Sequence, residues 1–147
     1  MSLYGYVFFL LFTLFHTTDH RIQQTSEIFR IEFNAGSRTY REQTIITADS
    51  IITIKENFKT DKKPVIKTAT NTNLQWSALT STLNNIKLTE INQLKSPGMK
   101  RAHDAASHGS IIITTKDGKS YSHTFDNTEP HEKLQPLMQQ ITSLRTD

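Results

Sequence analysis

Short β-prone runs dominate this chain, and the alternation of apolar and polar residues in some of them predicts a β-sheet. Period two places successive side chains on opposite faces of a strand, which is typical of strands with one buried face. Residues 27–33 alternate in this way, and residues 40–47 and 51–57, with a fourth segment at 64–70, are β-prone runs separated by turn-forming or charged loop residues. The first three predict an antiparallel meander. We expect residues 64–70 to form an edge strand, because Pro64 can open a strand but cannot donate to a central ladder.

A hairpin is predicted at residues 110–126. Asp117-Gly118 separates two β-prone runs, and we expect a type I′ turn there, which needs positive φ at both central residues. A lone hairpin is only marginally stable in water, so this one needs neighbouring strands or a covering helix.

The alternation also assigns side chains to sheet faces. In the first strand one side carries Phe29, Ile31 and Phe33, and the other carries Ile28, Arg30 and Glu32. In the last strand Tyr121, His123 and Phe125 share one face, and Ser120, Ser122 and Thr124 share the other. One face of the hairpin can therefore be buried while the other remains exposed to solvent.

Apolar residues at helical spacing predict two helices. Thr72 and Gln75 have the spacing of a capping box, so a helix is expected to start there. Its apolar face is formed by Trp76, Leu79, Leu83 and Ile86, and its wet face by Ser77, Thr80, Ser81 and Asn84. Residues 87–94 fit either a short helical turn or an extended packing segment.

The second helix lies near the C-terminus. Its apolar stripe consists of Leu134, Leu137, Met138, Ile141 and Leu144. An interior proline costs about 3 kcal/mol, so regular helix is expected to begin close to Pro136, after a looser turn at 131–135. The element order β-β-β-(β)-α-β-β-α predicts an α+β fold: a two-layer domain over residues 25–147, with an antiparallel sheet of four to six strands and both helices on one face.

The first 20 residues have a different character. Residues 3–15 are apolar except for Gly5 and Thr13. That length suits the core of a signal peptide better than a membrane span, which needs roughly 20 apolar residues. No Lys or Arg precedes the run and no small-x-small pair marks a cleavage site, so an uncleaved anchor is the alternative. We expect an exported protein, periplasmic or extracellular, that meets a membrane only through residues 1–20.

Composition and charge limit the classes of partner and of chemical site that we expect. The formal net charge is +3, and 35% of the residues are hydrophobic, which suggests a thin core. The basic residues are dispersed, with small clusters only at Lys62-Lys63 and Lys100-Arg101, so a nucleic-acid partner is not expected. The absence of cysteine excludes disulfides, thiolate metal sites and a cysteine nucleophile.

The sequence offers few candidates for metal-binding or catalytic residues. The weak candidates for a metal site are His103, Asp104, His108 and His123, with His131 nearby, and their spacing matches no metal signature. There is no G-x-S-x-G elbow and no glycine-rich phosphate loop, so we predict no catalytic or cofactor-binding residues and no cofactor. Asp117 is explained by the turn, Asp126 by capping or tethering the last helix, and Trp76 by the core.

Several short motifs carry a resemblance. They are Asp104-Ala-Ala, Gly118-Lys119-x-Tyr121, Phe125-Asp126, and Pro130 followed by a Leu-rich terminal helix. From about residue 27 onward the chain resembles small uncharacterised exported bacterial α+β proteins, which have Gly where this chain has Ala105. Its element order is similar to that of emfourin-type metallopeptidase inhibitors, a likeness that transfers no inhibitory residue.

These features favour a non-catalytic binding module whose partner is a protein or peptide. Peptidase inhibition is the sharper alternative, for which the loops at 34–38 and 59–63 are the places to look. A metal-dependent hydrolase using the histidine group is the rival from the enzyme class. The predicted edge strand is one route to binding, since it can accept an extended strand of a partner.

Overall fold

A computed structural model describes residues 27–98 and 107–145. It contains β1 (Ile28–Gly36), β2 (Tyr40–Ile46), β3 (Ser50–Asn57), β4 (Val65–Thr70), α1 (Asn73–Ser81), α2 (Leu88–Ile91), β5 (His108–Thr115), β6 (Ser120–Asp126) and α3 (Gln135–Leu144). All strand pairs are antiparallel, in the order β4-β3-β2-β1-β5-β6. The predicted α+β fold is confirmed, with six strands and the predicted edge position for residues 65–70.

The core lies between one face of the sheet and the helices. We call this sheet face the inner face and the opposite one the outer face. The inner face contributes Ile31, Phe33, Ile46, Ile111 and Ile113, all with 2% exposure or less, to the same cluster as the helical stripes. The helical side contributes Leu79, Leu83, Ile86, Leu88, Ile91, Leu134, Leu137, Met138 and Ile141.

The first strand departs from the predicted alternation. Its register with β5 shifts between Ile28 and Arg30, which marks a β-bulge. The extra residue reverses the faces at this end of the strand, so Ile28 is buried and Phe29 is 54% exposed. The prediction that Phe29 shares a face with Ile31 and Phe33 is therefore wrong.

The hairpin forms where expected but with a different turn. Gly118 has φ 83°, whereas Asp117 is not among the residues with positive φ, so the turn is not type I′. The Gly118 N–H bonds the Thr115 carbonyl, and the Thr115 N–H bonds the Lys119 carbonyl. This is a three-residue loop with its left-handed residue last, a geometry that needs only one glycine.

The helices follow the predicted stripes with two exceptions. The helix α1 ends at Ser81, so Leu83 and Ile86 reach the core from the turn that follows it, and the second exception is Thr80. The capping box of Thr72 and Gln75 is present, and α3 begins beside Pro136 after a 3-10 turn at Glu132–Leu134. Thr80, predicted to face water, is buried, and its hydroxyl donates to the Trp76 carbonyl at 3.0 Å. Residues 87–94, left open between two conformations, include the short helix α2.

An ion pair fastens the end of α3 to the sheet. Arg145, just after α3, pairs with Glu42 of β2, and both side chains are largely buried. The Arg145 guanidinium carbon also lies 5.3 Å from the centroid of the Phe33 ring. Arg145 thus connects the helical layer to β1 and β2, in addition to the packing of this layer against β5 and β6.

The predicted signal or anchor segment, residues 1–20, lies outside the described residues. Within residues 27–98 and 107–145, none of the helices has the length and hydropathy needed to span a membrane.

Candidate functional site

The sheet separates the histidines that the sequence singled out. His108 is exposed at the start of β5, and His123 is 3% exposed on β6. The β5–β6 register pairs His108 with Asp126 and His123 with Ile111, which places the two histidines on opposite faces. They cannot share a metal ion in this arrangement. His103 and Asp104 lie outside the described residues.

His123 has a structural environment. Its Nε2 accepts a hydrogen bond from the His131 backbone N–H at 3.1 Å. Its ring stacks on Phe125 with centroids 5.6 Å apart and meets the His131 ring edge-on. His123 thereby joins β6 to the segment that leads into α3. In the two described stretches, no group of three or more metal-ligating side chains comes together.

Asp126 does not cap the last helix. The N-cap of α3 is Leu134, which makes no side-chain capping bond. The buried Asp126 carboxylate instead lies against Gly98, where an added Cβ would collide with Oδ2. The segment after α2 therefore runs close to the end of β6.

The feature that stands out in the structure is the edge strand β4. Among residues 27–98 and 107–145, no strand pairs with β4 on the side away from β3. The Asn71 N–H bonds the Asp49 carbonyl, so by antiparallel alternation residues 65, 67 and 69 face β3. Ile66, Thr68 and Thr70 then direct their N–H and C=O groups away from the sheet.

The other edge of the sheet is partly occupied. On β6 the outward-facing Ser122 N–H donates to the Asn92 side chain at 2.6 Å. The outward-facing Asp126 carbonyl accepts from the Glu129 N–H at 3.1 Å. Covering an edge in this way protects it from pairing with another chain. The two edges therefore differ in how ready they are to accept a strand.

The two faces beside β4 differ in chemistry. On the outer face Ile66, 64% exposed, lies opposite Ile54 of β3. Ile52 and Ile45 continue this apolar surface on the next row. On the inner face the β4 side chains are Val65, Lys67 and Ala69, with Lys55 of β3 opposite Val65.

A shallow groove of about 370 Å³ opens at the Val65 end of β4. It is lined by Tyr40, Arg41, Glu42, Lys55, Glu56, Asn57, Thr60, Lys62, Lys63 and Val65. Its two carboxylates are engaged by arginine: Glu42 pairs with Arg145, and Glu56 pairs with Arg41 at 2.6 Å. Four basic residues, Arg41, Lys55, Lys62 and Lys63, line the groove beside these two carboxylates.

The sequence matches no protein-family model and no curated protein. The edge position of β4 follows from Pro64, whereas the sequence analysis predicts no apolar outer face beside it. A signal for it existed, because Ile51, Ile52 and Ile54 make β3 apolar on both sides instead of one.

Proposed function

We propose that this protein is a non-catalytic binding module that takes up an extended segment of a partner protein as an additional strand beside β4. The observation that carries the proposal is the outward-facing row of backbone groups at Ile66, Thr68 and Thr70. Strand addition uses such a row for main-chain hydrogen bonds and neighbouring side chains for specificity. The proposal places the module outside the cytoplasm, because residues 3–15 have the length of a signal-peptide core.

Two properties of β4 support this role. Val65 and Ile66 are 55% and 64% exposed, so a partner strand gains apolar contact without the domain having to open. Natural proteins usually protect a long exposed edge strand. Hydrogen bonds from neighbouring segments cover part of the β6 edge, whereas within the described part of the chain no strand pairs with the outward-facing side of β4.

The test removes one outward-facing donor. In Thr68→Pro the missing N–H is one that faces away from β3, so the β3–β4 ladder keeps its bonds. The full-length chain and this variant are each used to select binders from a random decapeptide display library. Selected peptides should bind the variant roughly tenfold more weakly, which is the effect of losing one backbone hydrogen bond together with the steric clash.

Thr124→Pro is the matched control, because it makes the same change at an outward-facing position of the other edge strand, β6. Its affinity for the selected peptides should equal that of the unmodified chain. Peptides that bind Thr68→Pro as tightly as the unmodified chain would overturn the proposal, and so would a selection that enriches no peptide. Unchanged thermal unfolding of both variants establishes that the comparison concerns binding.

A further inference from the structure

We infer that the segment accepted by β4 alternates apolar and acidic side chains, with the apolar ones on the outer face and the acidic ones on the inner face. This inference rests on the proposed function. It adds the chemistry of the partner, which the backbone groups of β4 alone do not specify.

The outer face sets the apolar half of the pattern. A strand beside β4 places every second side chain on this face, next to Ile66 and Thr68. Ile66 is 64% exposed and continues into Ile54, Ile52 and Ile45. An apolar side chain there extends a row of isoleucines and removes the Ile66 surface from water.

The inner face sets the acidic half. The intervening side chains of the partner fall next to Val65, Lys67 and Ala69. Lys67 lies in the middle of this row, Lys55 lies behind Val65, and Lys62 and Lys63 precede the strand. Opposite charges at neighbouring cross-strand positions attract, and like charges there repel. A carboxylate is therefore favoured on this face and an ammonium is disfavoured.

The test compares three synthetic peptides of the same length. Each decapeptide alternates valine with a second residue, which is glutamate, glutamine or lysine. Binding to the full-length chain is measured by titration with nuclear magnetic resonance detection of the backbone amides of Ile66, Thr68 and Thr70. The glutamate peptide should bind about three- to tenfold more tightly than the glutamine peptide at low ionic strength, and the lysine peptide most weakly.

Lys67→Gln tests the charge contact itself. This variant should bind the glutamate peptide more weakly and the glutamine peptide with unchanged affinity. A loss confined to the glutamate peptide is the loss of the interaction between the two charges. The control is Lys87→Gln, an exposed lysine beside α2 at the far side of the domain, and it should change neither affinity.

The outcomes separate the two proposals. Equal binding of the glutamate and glutamine peptides at β4 would overturn the acidic preference and leave strand addition standing. Absence of any shift at Ile66, Thr68 and Thr70 with all three peptides would overturn both. A dimer that Thr68→Pro dissociates would place a second copy of this chain at β4, and would also overturn the inference.

Discussion

At the scale of single residues, the inner face contains two hydroxyls in an unusual state. Thr44 and Thr53 lie opposite each other on β2 and β3, at 0% and 1% exposure. Within the described part of the chain, neither Oγ1 has a hydrogen-bond partner. A buried hydroxyl without a partner costs free energy, because the bonds it made with water are not replaced.

Replacing either hydroxyl by a methyl group should therefore stabilise the domain. We expect Thr44→Val or Thr53→Val to raise the free energy of unfolding by about 1 kcal/mol each, and the double variant to be non-additive because the residues touch. Urea denaturation measures the change. Thr115→Val is the matched control. Thr115 is also buried, but its hydroxyl donates to the Asp117 carboxylate and the Lys119 carbonyl, so this variant should lose stability. A loss of stability in the Thr44 and Thr53 variants would show that their hydroxyls are bonded.

At the scale of elements, the sequence fixes a strand better than the details of its ends. β-prone runs and the turn signals between them predict all six strands, but alternation misassigns Phe29, because a one-residue bulge reverses the faces and is not visible in the sequence pattern. Asp117-Gly118 located the hairpin but not the turn type, since one glycine satisfies both a two-residue and a three-residue loop.

The hairpin turn also predicts a pH dependence. The Asp117 carboxylate pairs with the Lys119 ammonium at 2.7 Å and accepts the Thr115 hydroxyl. These bonds lower the pKa of Asp117 from 3.8 to about 2, and the bond from Lys119 makes the largest contribution. A lowered pKa means that the stabilisation is complete above pH 3.8 and is lost as the pH falls through about 2.

We therefore expect Asp117→Asn to destabilise the domain at pH 5, with the difference from the unmodified chain shrinking towards pH 2. Urea denaturation at several pH values measures this difference, and titration of the carboxyl carbon resonance gives the pKa directly. Lys119→Met should raise the pKa of Asp117 towards its ordinary value. An Asp117 that titrates near pH 4 in the unmodified chain would contradict the expected turn geometry.

At the scale of the whole molecule, periodicity predicts the fold because every main element except β4 buries one side. Two apolar stripes, at Leu79 and Leu83 and at Leu137 and Ile141, need an apolar surface to pack against. The apolar face of the sheet supplies that surface. The site was less predictable for a physical reason. Histidines stand out in a sequence as chemical groups, whereas an open edge consists of backbone groups that every residue carries, and only the strand order reveals it.

The two-layer arrangement makes a last prediction about how stability is distributed. Leu83 follows α1 at 0% exposure in the core, whereas Leu74 in the first turn of the same helix is 81% exposed. The same change, leucine to alanine, should therefore have a large effect on stability at Leu83 and almost none at Leu74. Leu83→Ala should lower the free energy of unfolding by about 2 to 5 kcal/mol, since it removes buried apolar surface and leaves a cavity. Leu74→Ala should stay within about 0.5 kcal/mol of the unmodified chain. Denaturant unfolding of both variants gives the comparison, and equal effects at the two positions would mean that α1 does not pack on the sheet through Leu79 and Leu83.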